Sequence, residues 1–162
     1  MKYIHKKLQI ENVSVENIVK KYGTPAYCYS YSQLRKNIIK FKKYFRSFNP
    51  MICFAIKSNT NLTLLKEIKK FGLGADVVSQ GELMMAIKSG INPKKIVFSG
   101  VGKSTGEIKY AIDKKILLLN AESMSEIKEI DKIAKSKNKK VMIGIRLNPN
   151  TDAKTLSQIS TG

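Results

Sequence analysis

From residue 51 onward, short apolar runs alternate with amphipathic segments along the chain. The apolar runs predict five strands, at residues 51–57, 75–79, 96–100, 116–120 and 141–148. Several runs place apolar residues side by side, as in Val77-Val78 and Leu117-Leu118-Leu119. Consecutive apolar residues are typical of strands in a parallel sheet, which other elements cover on both faces.

Between these runs, apolar residues recur at helical spacing, and several helix ends can be located. Gly72 and Gly90 each follow such a segment, and a glycine in that position typically ends a helix. Ser123 and Glu126 have the spacing of a capping box, which predicts the start of a third helix. The sequence therefore predicts a strand–helix repeat of about 20 to 25 residues.

This regular alternation indicates an α/β fold, either a doubly wound sheet or a (β/α)8 barrel. Periodicity alone does not separate the two. A barrel needs eight strand–helix units, and five strands are predicted here. If the fold is a barrel, we expect the chain to form part of one.

The first 50 residues follow a different pattern. We expect a helix at residues 14–22 that ends at Gly23, then a short strand at 25–29. Ser30 and Gln33 suggest a second capping box, ahead of a helix with apolar residues between Leu34 and Phe45. The strand at 25–29 lies outside the repeat, so we expect it to pair in another sheet. His5 is the only histidine, and we expect it in a frayed terminus.

Composition places the chain among globular proteins, with 43% hydrophobic and 26% charged residues. No apolar run approaches the roughly 18 residues of a membrane span, and the first residues lack a signal-peptide pattern. These features predict a cytoplasmic protein without a membrane partner. Cys28 and Cys53 are too few for a disulfide framework, and we expect both to be reduced and packed.

The formal net charge of +18 suggests a nucleic-acid partner, because a basic surface attracts phosphate. The composition of that charge argues against one. Of 30 basic residues, only Arg35, Arg46 and Arg146 are arginine, which leaves 27 scattered lysines. Arginine forks and aromatic platforms are the usual contacts with nucleic acid. We therefore expect solvated lysine-rich helix faces and no nucleic-acid partner.

Two other candidate sites are excluded by their spacing. Gly102-Lys103-Ser104 resembles the end of a phosphate-binding loop, but Val97 stands where that motif requires a glycine. One histidine and two cysteines, with no metal-ligand spacing, provide neither a catalytic triad nor a zinc site. We expect no metal.

Lys57 is the first candidate catalytic residue, because it ends the first apolar run and a helix follows. Active sites of barrels lie at the carboxyl ends of their strands. Side-chain alternation would place Lys57 on the face of Cys53 and Ala55, towards the barrel axis. An apolar environment disfavours the ammonium form, so that the free amine can form a Schiff base. A lysine that merely reaches solvent is the alternative.

The block Phe54 to Asn59, followed by Leu64-Leu65, Ile68 and Gly72, resembles the cofactor-lysine region of the fold-type III pyridoxal-phosphate decarboxylases. Other blocks resemble that family in the same order along the chain. They lie at residues 23–25, 74–83, 96–100, 102–104, 146–149, 152–155 and 159–162. Blocks 74–83 and 152–155 are most similar to the diaminopimelate branch. At 156–158, Leu-Ser-Gln departs from the histidine and aromatic residue common in the family.

The resemblance implies a partial (β/α)8 TIM-type barrel of the alanine racemase-like class. It implies that Lys57 is the catalytic residue that holds pyridoxal 5'-phosphate, and that Asp76 and Arg146 line the cofactor pocket. Glu82 is a weaker candidate. A helix N-terminal carboxylate is the alternative role for Asp76, and a strand-end ion pair is the alternative for Arg146.

The resemblance also implies a domain arrangement. Residues 1–30 would join a C-terminal β-domain, and residues 31–162 would form the first part of the cofactor-binding barrel. Four features of the family would lie beyond residue 162: the glycine-rich phosphate loop, the acidic partner of the pyridine nitrogen, the ring-stacking histidine and the β-domain. We therefore expect this chain to be inactive by itself.

The implied activity is decarboxylation of meso-diaminopimelate to lysine, with an amino-acid substrate and a homodimeric full-length protein. Ornithine or arginine decarboxylases and alanine racemases are alternatives with the same fold. A non-catalytic basic binding protein is an alternative of another class.

Overall fold

A computed structural model describes residues 1–149 and residue 154 of the chain. The chain forms two compact units, Met1–Pro50 and Met51–Gly162. The expected boundary after residue 30 stays a prediction.

The first unit begins with a three-stranded antiparallel sheet that the sequence analysis did not predict. Its strands are β1 (Lys2–Ile4), β2 (Lys7–Ile10) and β3 (Val13–Ser14), paired in that order. His5 and Lys6 form the turn between β1 and β2, with φ of 47° and 63°. The expectation of a frayed terminus was therefore wrong. Two-residue turns with positive φ usually contain glycine or asparagine, and that signal is missing here.

Two helices complete the first unit, α1 (Val15–Tyr22) and α2 (Tyr31–Tyr44). Ser14 and Ser30 cap their first turns by accepting hydrogen bonds from the third residue that follows. Gln33 does not complete the predicted capping box, because its side chain donates to Asn37 Oδ1 at 2.7 Å. Gly23, at φ 77°, ends α1 as predicted.

The predicted strand at residues 25–29 is not formed in the part of the chain that the structure describes. A strand requires a neighbour to pair its backbone N–H and C=O groups, and β1 to β3 pair with one another. Cys28 lies in this segment and is exposed, so the expectation that it is packed was wrong. Cys53 is half-buried, and both cysteines are free thiols.

The second unit is built on five parallel strands whose order in the sheet is their order in the chain. A helix lies between each strand and the next. A doubly wound sheet reverses its strand order at a switch point, whereas a barrel does not. Part of a (β/α)8 barrel is therefore confirmed.

The strands of this unit are β4 (Cys53–Ala55), β5 (Gly74–Val77), β6 (Ile96–Phe98), β7 (Leu118–Ala121) and β8 (Ile143–Ile145). Its helices are α3 (Leu62–Lys70), α4 (Gln80–Lys88), α5 (Thr105–Asp113) and α6 (Met124–Ser136).

The core of this unit lies between the strands and the helices. Alternate strand residues are fully buried, among them Val77, Phe98 and Leu119. Helices α3 to α6 contribute the opposite side of the core through Leu65, Ile68, Leu83, Ala86, Ile108, Ala111, Ile130 and Ile133. On the other face of β5 to β7, Asp76, Val97 and Asn120 are half-buried, whereas Gly74 is buried. Within the described residues, the strands are thus fully covered on one face only, which falls short of the two covered faces that were expected.

No helix among the described residues has both the length and the apolar character needed to cross a bilayer.

Candidate functional site

The candidate site is formed by residues at the carboxyl ends of the parallel strands. Ala55, the last residue of β4, lies opposite Asp76 of β5. Asn120 of β7 lies opposite Gly144 of β8. Strand pairing thus brings side chains from separate repeats to one edge of the sheet.

Lys57 lies at this edge, in a 3-10 turn (Ile56–Ser58) that directly follows β4. The turn is closed by a hydrogen bond from the Asn59 N–H to the Ile56 carbonyl at 2.8 Å. Ile56 is fully buried, whereas Lys57 is exposed. Because β4 ends at Ala55, strand alternation does not extend to Lys57, and that part of the sequence argument was wrong. The turn and its buried isoleucine determine where Lys57 lies.

The side chain of Lys57 has no hydrogen bond or ion pair with any residue that the structure describes. It is also not enclosed by apolar side chains, contrary to expectation, since it is exposed. The described residues therefore leave its primary amine available for reaction with a ligand.

A chain of hydrogen bonds joins Asp76, Ser99 and Asn120 across three strand–helix repeats. The Ser99 hydroxyl donates to Asp76 Oδ1 at 2.7 Å, and Asn120 Nδ2 donates to Ser99 Oγ at 3.1 Å. A Cβ atom added to Gly144 would overlap Asn120 Oδ1, so glycine at this position leaves room for the amide. These three half-buried residues place a carboxylate, a hydroxyl and an amide at the edge where Lys57 lies.

Asp76 lies inside β5, and Ser79, not Asp76, caps the following helix by accepting from the Glu82 N–H. The alternative role as a helix N-terminal carboxylate is therefore not what the structure shows.

Arg146 lies one residue beyond β8 and contacts the end of β7. Its Nη1 lies 3.2 and 3.3 Å from the two carboxylate oxygens of Glu122. The backbone continues the strand pairing, because the Arg146 N–H donates to the Ala121 carbonyl at 3.0 Å. The structure thus contains the strand-end ion pair that was the alternative for Arg146, and its role towards a cofactor stays a prediction.

Glu82 stabilises the connection between β5 and α4. Its Oε2 accepts a hydrogen bond from the Val78 N–H at 2.9 Å. Glu126 repeats this arrangement two repeats later, between β7 and α6, where its Oε2 accepts from the Glu122 N–H at 3.0 Å. The capping box predicted for Ser123 and Glu126 is therefore half formed, because the carboxylate binds one residue before Ser123.

A complete capping box occurs at the start of α5, which the sequence analysis did not identify. Ser104 Oγ accepts from the Glu107 N–H, and Glu107 Oε2 accepts from the Ser104 N–H. Glu107 Oε1 also accepts from the Gln80 N–H at 3.0 Å and so joins the starts of α4 and α5. These hydrogen bonds hold the pKa of Glu107 below its usual value, with the Ser104 N–H as the largest cause.

Cys53 is the first residue of β4, opposite Gly74, and is unsuited to act as a nucleophile. Burial raises the pKa of its thiol, and the charge of Asp76 acts in the same direction. The reactive form of cysteine is the thiolate, which these surroundings disfavour. Among the described residues, no group of three or more His, Cys, Asp or Glu side chains could hold a metal ion.

Sequence reasoning missed Ser99, Asn120 and the buried Lys103. Serine and asparagine beside a turn are common for purely local reasons, so neither gave a specific signal. Lys103 belongs to the segment that was excluded as a phosphate loop. Its Nζ is buried and donates to protein acceptors, which supports that exclusion.

Comparison with known proteins gives a consistent result for most of the chain. A family model described as the pyridoxal binding domain of pyridoxal-dependent decarboxylases matches residues 31–162. A diaminopimelate decarboxylase of Helicobacter pylori strain J99 is 47% identical over 147 residues, which are 91% of this chain and 36% of the relative.

Solved structures agree with this match. The crystal structure of diaminopimelate decarboxylase from Helicobacter pylori complexed with L-lysine has a TM-score of 0.87 and 45% identity, over 91% of this chain and 37% of that one. The diaminopimelate decarboxylase of M. jannaschii has a TM-score of 0.90 and 34% identity, over 99% of this chain and 38% of that one. The chain thus spans a little over a third of the length of these relatives.

Proposed function

Because the chain belongs to the pyridoxal-dependent decarboxylase family, we propose that Lys57 carries pyridoxal 5'-phosphate in a full-length enzyme that decarboxylates meso-diaminopimelate to lysine. The activity, substrate and partners are proposed for the full-length protein, since the chain spans 36% of the Helicobacter pylori relative.

The observation that supports this proposal most strongly is the position of Lys57. It is exposed directly after β4, and its amine has no partner among the described residues. A primary amine of this kind can react with the aldehyde of the cofactor. The carboxylate, hydroxyl and amide of Asp76, Ser99 and Asn120 offer hydrogen bonds at the same edge. The residues present therefore fit the cofactor.

When bound, the cofactor supplies an electron sink for the charge that remains as carbon dioxide leaves. The residues of this chain hold and orient it. Lys57 would provide its point of attachment. Asp76 provides a negative charge that favours a cation nearby. Among the described residues, the side chain of Arg146 contacts Glu122 only through Nη1. Because a guanidinium has five N–H donors, other donors of Arg146 remain for the cofactor.

The choice of substrate rests on the relatives. The curated relatives that are 40 to 47% identical to this chain are diaminopimelate decarboxylases, and three of the similar solved structures contain L-lysine. Lysine is what remains of diaminopimelate after one carboxyl group is lost. We further propose that the full-length protein is a cytoplasmic homodimer in which residues 1–30 join the C-terminal β-domain.

The test uses the full-length protein with added pyridoxal 5'-phosphate. Carbon dioxide release from meso-diaminopimelate, ornithine and arginine should show turnover of diaminopimelate alone. Lys57→Ala should abolish that release, whereas Lys66→Ala, which removes an exposed lysine from α3, should leave it unchanged. Release from ornithine or arginine, with none from diaminopimelate, would contradict the proposed substrate.

A further inference from the structure

Lys103 is buried in the connection between β6 and α5, with 1% of its side chain exposed. Its Nζ donates three hydrogen bonds, to the Gly100 carbonyl at 2.7 Å, the Asn120 carbonyl at 2.6 Å and Glu126 Oε1 at 2.7 Å. The Phe98 ring centroid lies 5.7 Å from the same nitrogen. Three acceptors and an aromatic face therefore surround this ammonium group.

Glu126 completes the arrangement from the first turn of α6. Its side chain is 9% exposed, and its two oxygens have different partners. Oε1 accepts from Lys103, while Oε2 accepts from the Glu122 N–H at 3.0 Å. The pair thus joins the β6–α5 connection, the end of β7 and the start of α6.

The backbone groups that this pair binds belong to two residues of the candidate site. Lys103 holds the carbonyl of Asn120, whose side chain donates to Ser99. Glu126 holds the N–H of Glu122, whose carboxylate binds Arg146. The pair therefore binds the backbone of Asn120 and of Glu122, the two residues whose side chains contact Ser99 and Arg146 at the carboxyl end of β7.

Stability alone is a weak explanation for such a pair. Removing two charges from water carries a large desolvation cost, and an apolar pair of similar volume often serves stability as well. Ser123 already caps α6 by accepting from the Glu126 N–H. What an apolar pair could not do is bind the Asn120 carbonyl and the Glu122 N–H together.

We propose that Lys103 and Glu126 are positioning residues for the cofactor pocket, which they act on through Asn120 and Glu122. The inference rests on the proposed function, because it requires the cofactor at Lys57. Loss of the pair should release the backbone at the end of β7 and misplace the hydrogen bonds that reach Asp76 and Arg146. Cofactor binding should then weaken more than folding does.

The experiment compares full-length variants as apoproteins that are titrated with pyridoxal 5'-phosphate. Lys103→Met with Glu126→Gln removes both charges together, so that neither remains buried without its partner. Glu126→Gln alone is the second variant; its amide oxygen can still accept from Lys103, but the charge that balances the buried ammonium is lost. The control is Asp131→Ala with Lys135→Ala. It removes an exposed ion pair on α6, in which Lys135 Nζ lies 2.8 Å from Asp131 Oδ2.

The double variant should raise the dissociation constant of the cofactor at least about tenfold. The pH midpoint of the visible absorbance of the bound cofactor should also shift. The melting temperature of the apoprotein should stay within about 4 °C of wild type, and the control should match wild type throughout. A purely structural pair would change the melting temperature without moving the pH midpoint.

Three results would overturn the inference. One is a folded variant that binds the cofactor within about twofold of wild type with an unchanged midpoint. Another is failure of both variants to fold, which would make the pair a requirement for folding. The third is a wild-type protein that develops no visible band, which overturns the proposed function together with the inference.

Discussion

Ser99 donates a 2.7 Å hydrogen bond to Asp76 Oδ1, although the two residues belong to different strand–helix repeats and lie 23 positions apart. This contact directs the serine hydroxyl at a carboxylate on the edge where Lys57 lies. A carboxylate there favours the cationic form of a nearby group.

Asp76→Asn keeps an acceptor for Ser99 but removes the charge. In the full-length protein, the pH midpoint of the visible absorbance of the bound cofactor should fall by about one unit or more, because the protonated form loses a stabilising charge. Spectra recorded as a function of pH measure this midpoint. Ser99→Ala, which keeps the charge, should change it less. A midpoint that rises in Asp76→Asn would contradict the role given to this carboxylate.

Glu107→Gln should make stability less dependent on pH in the acid range. Hydrogen bonds from Ser104 and Gln80 lower the pKa of Glu107 in the folded state from its usual 4.5. A group with a lowered folded pKa stabilises the protein above its unfolded pKa and loses that effect as the pH falls towards the folded pKa.

Above pH 4.5, the ordinary value for this group, the variant should therefore melt below wild type, by about 2 °C or more. The difference should shrink as the pH falls further below that value. Thermal melting between neutral and acid pH tests this. A difference of the same size across the whole range would show that the charge of Glu107 is not involved.

Gly74→Ala should destabilise the protein, because a Cβ at this position would overlap the backbone carbonyl of Lys95 and lie 3.0 Å from Cys53 Sγ. We expect a loss of about 1 to 3 kcal/mol in the free energy of unfolding. Gly81→Ala is the matched control, since its nearest neighbour would be Ser79 Oγ at 3.8 Å. Removing glycine from α4 should be neutral or stabilising by up to about 1 kcal/mol. Urea unfolding measures both, and equal effects would contradict the close approach at Gly74.

The charge of +18 should produce only weak, non-specific binding to duplex DNA, because it comes almost entirely from scattered lysines. Binding should vanish near physiological salt and show no preference between two unrelated duplexes. Fluorescence anisotropy at low and physiological salt measures this. Sub-micromolar, sequence-selective binding at physiological salt would mean that nucleic acid is a genuine partner.

The repeat was predictable because each strand is a short apolar run and because α3, α4 and α6 have recognisable end signals, whereas the signal at the start of α5 was not identified. The choice between barrel and doubly wound sheet was not, because periodicity does not specify strand order. Ser99 and Asn120 were missed because their partners lie more than 20 residues away in sequence. The hairpin at His5 was missed because its turn has no glycine or asparagine. Lys57 was proposed on resemblance, and its role stays a prediction, whereas strand alternation failed once β4 ended at Ala55.

The most direct test of the central claim locates the cofactor on the chain. The full-length protein is loaded with pyridoxal 5'-phosphate, reduced with borohydride to make the linkage permanent, digested, and mapped by peptide mass spectrometry. Because these 162 residues contain 27 lysines, labelling of a single lysine would distinguish a specific attachment site from random modification. We predict one stoichiometric phosphopyridoxyl group on Lys57, and none in Lys57→Ala. Stoichiometric labelling of another lysine, with Lys57 unmodified, would contradict the account.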